Sequence, residues 1–330
     1  VRRKQYLAGH MIQLLRHHEI DFARWETCLQ NAGESLVYLQ AWYLEVVCSG
    51  EWEALVEIQA DAYVSVFPLP VRRFLGTKKV YQPLFTQQLG LVVTAGSQHT
   101  SAEEYLSLAA SLFGQVQYQM PWPEEAALNL TEPWTWRRRP NYELRLAPVY
   151  AEIRENYAIN LRRNLKKTSQ EQLTLVPTES IQPLLELFQN TKGKELPELR
   201  PRHYQKLAVL YAQAKQHGVG EVWEVHRQNK LLAAAFILRT AQRTTFLFGA
   251  SSAEGRTHNA MAFLLDQLLQ QEAGSGKTFD FEGSEVPGVA KFYAGFGAQP
   301  VSYVSLSLQP NPSVLSWTPN VFRFLARHLR

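Results

Sequence analysis

Cysteine is nearly absent: 2 in 330 residues, Cys28 and Cys48. They have no zinc-type spacing, and one bridge at most could form. That excludes a disulfide-framed scaffold and gives no support to a structural zinc site. Two buried thiols are expected. No run of 18 apolar residues occurs, so no membrane-crossing helix and no integral membrane partner are expected. Charged residues make up only 19%, and the formal net charge is +4. So small an excess does not demand a nucleic-acid partner. Val1 to His10 carries Arg2, Arg3 and Lys4 but lacks the apolar stretch of a secretory signal. Gly9-His10-Met11 reads as a cloning scar, so residues 1–10 are expected to be a vector-derived or disordered leader. A cytoplasmic location is expected.

What is present is apolar bulk. Hydrophobic residues are 45%, with 8 Trp, 14 Tyr and 16 Phe. A chain of this length and composition is globular and long enough for two domains with two cores. Most of the aromatics are expected inside.

The pattern alternates helices and strands. Helices are expected over Asp21–Ala32, Ser35–Val47 and Ala102–Phe113. The last has Ser101 as its cap and Glu103 and Glu104 in its first turn. Glu53–Gln59 and Tyr63–Pro70 flank Ala60-Asp61-Ala62 as a hairpin. Leu89–Thr94 and Gln115–Gln119 read as strands. Residues 120–141 contain Met120-Pro121-Trp122-Pro123, Glu132-Pro133 and the run Arg137-Arg138-Arg139-Pro140, and are expected to connect two domains, 11–130 and 131–330.

Strand Asn141–Leu146 follows, then helices Tyr150–Thr168, Ile181–Lys192 and Pro201–His217, with Pro201 at a first helical position. Strands Glu221–Arg227, Leu231–Arg239 and Thr244–Ala250 come next. Helix Gly255–Ala273, strand Thr278–Glu282, helix Pro287–Gly295 and strand Val301–Gln309 complete the pattern. Both halves share the order strand, loop, helix, strand. Trp317–Arg330 has the period of a basic amphipathic helix that docks on the protein body.

The chemistry is most legible in Phe279-Asp280-Phe281-Glu282-Gly283-Ser284. Side-chain alternation sends Phe279 and Phe281 to one face and Asp280 and Glu282 to the other. Ser284 can cap the helix that begins near Pro287. Two carboxylates at a strand's carboxyl end beside a helix start suit an open α/β active site. They serve equally well as caps or ion-pair partners of a structural network. Tyr157, Asn160, Arg162, Arg163, Asn164, Lys166 and Lys167 lie on one helix. Arg162 with Lys166, and Arg163 with Lys167, form two i,i+4 ridges that suit a phosphate-bearing substrate or a merely solvated face. His258 is the one histidine weighed as a base, against the commoner surface role.

Phe279–Gly283, followed by Phe292, Phe296 and Gly297, resembles the Fem family of the GNAT superfamily, in which a strand ending Asp-Phe-Glu-Gly precedes a Phe-x-x-x-Phe-Gly helix. Tyr157 to Lys167 is similar to that family's Tyr-x-x-Asn-x-Arg-Arg-x-x-Lys-Lys helix. Val80-Tyr81-Gln82-Pro83-Leu84-Phe85-Thr86-Gln87-Gln88-Leu89-Gly90 is similar to segments of other GNAT-like proteins. The resemblance implies an α/β (α+β) chain of tandem GNAT-like domains, each a mixed, mostly antiparallel sheet flanked by helices. It implies transfer of an acyl or aminoacyl group from acyl-CoA or aminoacyl-tRNA to an amine, on a small-molecule or cell-wall-precursor acceptor. The alternative class is a non-catalytic ligand-binding module. A third, RNA binding without chemistry, rests on the basic helix alone. The state is expected to be monomer or dimer, without metal.

By the same resemblance the donor lies between Thr244–Ala250 and Thr278–Glu282, with phosphates at Ser251, Ser252, Gly255, Arg256 and Asn259. This loop has one glycine where the family's donor loops carry two, and Glu254 adds a negative charge. Asp280 or Glu282 would take the amine proton, and Tyr293 or Tyr303 would donate to the leaving group. Ser284 and Lys291 join the basic helix as acceptor-side residues. Tyr293 stands where aminoacyl-tRNA-using members often have Lys.

Overall fold

The structure is a computed structural model, described for residues 11–33, 36–74, 76–128, 130 and 133–309. The expected leader and the amphipathic stretch Trp317–Arg330 lie outside the described residues. Two units emerge. One runs to Arg137 and takes in the chain again from Val304, and the other is Arg138–Tyr303.

The first unit opens with β1 (Ile12–Leu15), α1 (Phe22–Asn31) and α2 (Ala41–Cys48). Asp21 caps α1 by accepting from the N–H groups of Ala23 and Arg24. The stretch Ser35–Val47, expected as one helix, is a short 3-10 turn at Val37–Leu39 followed by α2. Next come β2 (Trp52–Gln59), β3 (Ala62–Phe74), β4 (Thr77–Val80), β5 (Val92–Val93), α3 (Ala102–Phe113) and β6 (Val116–Pro121). Their order is β1-β2-β3-β4-β6, with β5 on β3. Pairings β1–β2, β2–β3, β3–β4 and β3–β5 are antiparallel, and β4 with β6 is parallel. Trp25 and Trp52 pack edge to face with ring centroids 5.0 Å apart, and both are fully buried. Cys28 and Cys48 are buried thiols, and burial pushes Cys28 up to about 11.

The second unit holds β7 (Trp134–Arg145) from Arg138 on, then α4 (Tyr150–Glu155), α5 (Ile159–Thr168), β8 (Thr174–Thr178), α6 (Gln182–Asn190), α7 (Pro201–Gln216), β9 (Gly220–Arg227) and β10 (Lys230–Arg239). It continues with β11 (Arg243–Ser251), α8 (Ala253–Thr257), α9 (Ala260–Glu272), β12 (Thr278–Asp280), α10 (Pro287–Ala294) and β13 (Gln299–Leu308) as far as Tyr303. The order is β7-β12-β11-β10-β9-β8, with β13 beside β7. In this unit β10 pairs antiparallel with β9 and β11, β9 with β8, and β12 with β7, whereas β11 and β12 run parallel. Each unit is thus a mostly antiparallel sheet flanked by helices.

Several boundaries differ from the sequence reading. The stretch 134–141, expected as part of a loose connection, is strand. Its arginines become more deeply buried along β7: Arg137 is exposed, Arg138 half-buried and Arg139 buried. Tyr150–Thr168 is two helices, because the chain turns at Asn156-Tyr157-Ala158 and the Ala158 N–H donates to the Gly295 carbonyl, 2.8 Å away. Gly255–Ala273 is also two helices, since Asn259 takes a left-handed φ of 54° between α8 and α9. Strands β1, β4 and β8 carried no pattern strong enough to be predicted.

Candidate active site

The parallel pair β11–β12 is joined only at Arg243↔Thr278, Thr244↔Phe279 and Thr245↔Asp280. Beyond Thr245, β11 runs on to Ser251 while β12 stops at Asp280. The strands therefore part toward their carboxyl ends, where open α/β sheets place ligands.

A bulge shapes β11 at this point. Phe236 pairs with Phe248, but Ile237 pairs with Phe246, so Leu247 is an extra residue. Directly paired residues share a face, so the bulge sends Phe246 and Phe248 to opposite sides. Phe248 packs on Phe188 of α6 at 4.5 Å, and Phe246 faces Tyr293 of α10 at 6.4 Å. Gly249 is required beneath the Phe246 ring: a Cβ there would come within 2.6 Å of Phe246 Cζ.

The two carboxylates at the end of β12, Asp280 as its last residue and Glu282 just beyond, are both buried but have unlike partners. Asp280 is 1% exposed. One oxygen accepts from Asn141 Nδ2 at 3.0 Å and from the Glu282 N–H at 2.9 Å. The other pairs with Arg243 Nη1 at 2.8 Å, and that guanidinium also holds Glu143 at 2.7 Å. Burial pushes the Asp280 carboxyl up, opposed by the Arg243 charge. Burial would lower Arg243, but Asp280 and Glu143 hold it charged above its ordinary range. Asp280 is thus a buried member of an ion-pair network whose other members, Arg243 and Glu143, are partly exposed, so its carboxylate is engaged by the protein rather than presented to an open site. Its bond to the Glu282 N–H bends the chain and helps hold Glu282 at φ 56°, a left-handed conformation costly for a residue with a Cβ. Strain of this kind gathers at functional positions.

Glu282 acts electrostatically on Tyr293. Burial is the main cause that pushes the Tyr293 phenol up, and the charges of Glu282 and then Asp280 add to it. The Tyr293 ring lies 5.2 Å from Phe281 and 5.9 Å from Phe292. Phe279 and Phe281 meet at 4.8 Å, as strand alternation requires. Tyr303 is elsewhere. Its ring lies 5.8 Å from the buried Arg139 guanidinium, which pairs with Glu285 at 3.2 Å. That pair ties the loop carrying Glu282 and Ser284 to β7. The Ser284 hydroxyl accepts from the Val286 N–H at 3.1 Å, so it closes a turn before α10, whose cap is Val286.

At the loop after β11, the Ser252 hydroxyl caps α8 by accepting from the Gly255 N–H at 2.9 Å. Gly255 is obligatory, since a Cβ would fall 2.0 Å from the Leu232 carbonyl oxygen. Arg256 is exposed and donates to the Ser251 carbonyl at 3.1 Å. Glu254 is answered by an ion pair with Lys230 that lowers its carboxyl pKa. His258 pairs with Glu171 at 2.9 Å, as a surface residue would.

On α5, Arg162, Arg163, Lys166 and Lys167 are exposed, with Asn160 exposed and Asn164 half-buried. None of the four cations has an ion-pair partner among the described residues. Lys291 is exposed on α10. Tyr157 is not on this surface. It is 2% exposed, packs on Phe296 at 5.4 Å and sits near Asp266, so its place is in the core. Sequence reasoning missed Asn141, Glu143, Arg243 and Lys230. They lie far from their partners in the chain, and no local pattern marks them. Among the described residues no group of three or more His, Cys, Asp or Glu could hold a metal, and no helix is long and apolar enough to cross a membrane.

Residues 155–288 match the family described as acetyltransferase (GNAT) domain. A comparison with curated protein sequences finds no match. Among solved structures, FemX is similar with TM-score 0.64 at 11% identity, over 88% of this chain and 96% of that one. L-PGS from Bacillus licheniformis has TM-score 0.54 at 12% identity, over 93% and 98%. A tandem GNAT protein from the clavulanic acid biosynthesis pathway has TM-score 0.52 at 11% identity, over 92% and 100%. At such identities the likeness is one of fold.

Proposed function

We propose that this chain transfers an acyl or aminoacyl group to an amine, a reading supported by the match of residues 155–288 to the acetyltransferase (GNAT) domain and by a fold similar to that of FemX. The observation that carries this reading is the parting of β11 and β12 after Thr245↔Asp280. The donor, a thioester such as acyl-CoA or an ester such as aminoacyl-tRNA, would lie in that gap. Its carbonyl would meet backbone N–H groups of the bulged strand.

Glu282 takes a proton from the acceptor amine as nitrogen attacks the donor carbonyl carbon. The carbonyl π electrons move to oxygen, and backbone donors stabilise the oxyanion. Collapse re-forms the carbonyl and breaks the bond to sulfur or ester oxygen. The Tyr293 phenol, kept protonated by burial and by Glu282 and Asp280, donates a hydrogen bond to the departing group, which leaves with the proton that Glu282 took from the amine. Asp280 is a positioning residue for Glu282. The free cations of α5 suit a phosphate-bearing donor or acceptor, including a nucleotide-linked cell-wall precursor.

The test is calorimetry of the full chain with acetyl-CoA and with aminoacyl-tRNA, followed by single-turnover transfer to candidate amines. Glu282→Gln should slow the chemical step by roughly 10²–10⁴-fold and leave donor affinity unchanged. Donor binding with no transfer to any amine favours the non-catalytic module, and no binding of either donor overturns the reading.

A further inference from the structure

Helix α5 carries a cationic ridge beside the loop that follows β11. Leu161, Leu165 and Thr168 are its buried side. At 3.6 residues per turn, Ile159, Arg163, Lys166 and Lys167 lie on the opposite side, with Arg162 on its flank. All five are exposed. Arg162 with Lys166, and Arg163 with Lys167, are like charges four residues apart, which costs stability. Among the described residues no carboxylate pairs with any of the four cations. The acidic side chains nearest in the chain, Glu155 and Glu171, lie beyond the two ends of α5. Glu171 is already engaged, and its partner locates the ridge. Its carboxylate pairs with His258 Nδ1, 2.9 Å away at the end of α8. Its own N–H donates to the Thr168 carbonyl at 3.1 Å, which fixes it to the end of α5. The carboxyl end of α5 therefore abuts the loop and short helix after β11. Donors of that loop are engaged within the protein. The Ser252 hydroxyl takes the Gly255 N–H at 2.9 Å, and the Ser252 carbonyl takes the Arg256 N–H at 3.0 Å. The Arg256 guanidinium turns back to the Ser251 carbonyl, and Glu254 adds a carboxylate.

We propose that the acyl donor is a thioester borne by a small acidic carrier protein, which docks on α5 and threads its pantetheine arm into the gap between β11 and β12. This rests on the acyl-transfer reading and names its donor. Free coenzyme A brings a pyrophosphate and a ribose phosphate to a loop where donors are engaged and a carboxylate stands. A carrier-borne arm brings a single phosphodiester, and recognition moves to the protein surface. Complementary charge supplies that recognition. The ridge is about 15 Å long at 1.5 Å per residue, which suits one helix of a partner. Ile159, 68% exposed at its start, offers an apolar contact that a folded protein can bury and a nucleic-acid backbone cannot. A bilayer surface calls for a broad apolar face instead of one aliphatic side chain. In the reaction the amine nitrogen bonds the thioester carbon, the C–S bond breaks, and the pantetheine thiol leaves with the amine proton.

The experiment uses the full chain and two acetyl donors, a purified acyl carrier protein charged with acetyl on its pantetheine and acetyl-CoA. Calorimetry and steady-state transfer to the same amine read each donor. The acetyl-carrier should bind with an affinity that falls steeply with salt, and should give a higher kcat/KM than acetyl-CoA. Arg163→Glu puts a carboxylate four residues before Lys167, a favourable helix pair, so its Tm should match that of the wild type. Its kcat/KM with the acetyl-carrier should nevertheless fall at least about tenfold, the scale of one charge-assisted contact, and by less with acetyl-CoA. An equal fall with both donors would overturn the carrier proposal, as would transfer from acetyl-CoA with no advantage for the carrier. Either result leaves the acyl-transfer reading standing. Transfer from neither of these donors nor from aminoacyl-tRNA would overturn both. Capture of tRNA or of phosphatidylglycerol vesicles through Arg163, without carrier binding, would also overturn the carrier proposal.

Discussion

The two units repeat a strand, a loop and a helix but use the loop in opposite ways. In the first, the loop between β5 and α3 is filled from within. Glu57 of β2, fully buried, accepts from the Ser97 hydroxyl at 2.6 Å and from the N–H groups of Gln98 at 3.2 Å and His99 at 3.4 Å. A carboxylate already occupies donors that could otherwise meet an anion. The strand region beside it is closed as well. The segment Tyr81–Gly90 has no regular structure yet is mostly buried, and its Leu89 N–H donates to the Gln119 carbonyl at 2.7 Å.

In the second unit, the acidic residue of the loop, Glu254, is engaged by Lys230, and the strands part instead of being filled. A shared element order therefore does not imply a shared site. What decides is whether a side chain of the protein reaches the loop donors first.

The largest expected effect is in the second unit. Asp280→Ala leaves the half-buried Arg243 with Glu143 alone and strips the Asn141 amide and the Glu282 N–H of their acceptor, a loss of about 1–3 kcal/mol. Thermal or denaturant unfolding should show this loss, with transfer activity falling alongside. Asp280→Asn keeps the shape and one acceptor, and should lose less. If Asp280→Ala unfolds like the wild type, the ion-pair network is not what holds the site.

Glu57→Gln probes the first unit. Replacing one carboxylate oxygen by an amide NH₂ sets a donor against donors, at a cost of about 1–3 kcal/mol. Burial alone would raise the Glu57 carboxyl, but bonds from Ser97, Gln59, Gln98 and His99 bring it below its ordinary value. A depressed folded pKa stabilises the protein above the unfolded value of about 4.3, and that stability is lost as pH falls through the folded pKa. Acid unfolding of wild type should show this loss below about pH 4.3, and Glu57→Gln should flatten it. Transfer per folded molecule should not change. A variant that lost transfer while staying folded would make the first unit part of the active site and erase the contrast.

The smallest effect should be a gain. Glu282→Gly relieves a left-handed conformation and should raise stability by up to about 1 kcal/mol, while abolishing transfer. Lower stability would mean that the Glu282 side chain supports the fold rather than the chemistry.

Local signals in the sequence were sufficient for much of this protein. The limits of α3, Ala102–Phe113, follow from its acidic first turn and from Gly114, which ends it with a left-handed φ of 59°. The β2–β3 hairpin, the strand ending near Asp280 and the Pro287 helix start were legible because alternation, proline and glycine act over a few residues. Tertiary structure decided the rest. Asp280 and Glu282 look alike in sequence, but Arg243, 37 positions away, draws one of them into an ion pair. Tyr157 reads as part of a basic surface, yet apolar burial takes it into the core, and the Gly295 carbonyl meets the chain at the break beside it. Ion pairing, desolvation and parallel pairing depend on what the fold brings within a few ångströms, and spacing along the chain carries no record of that.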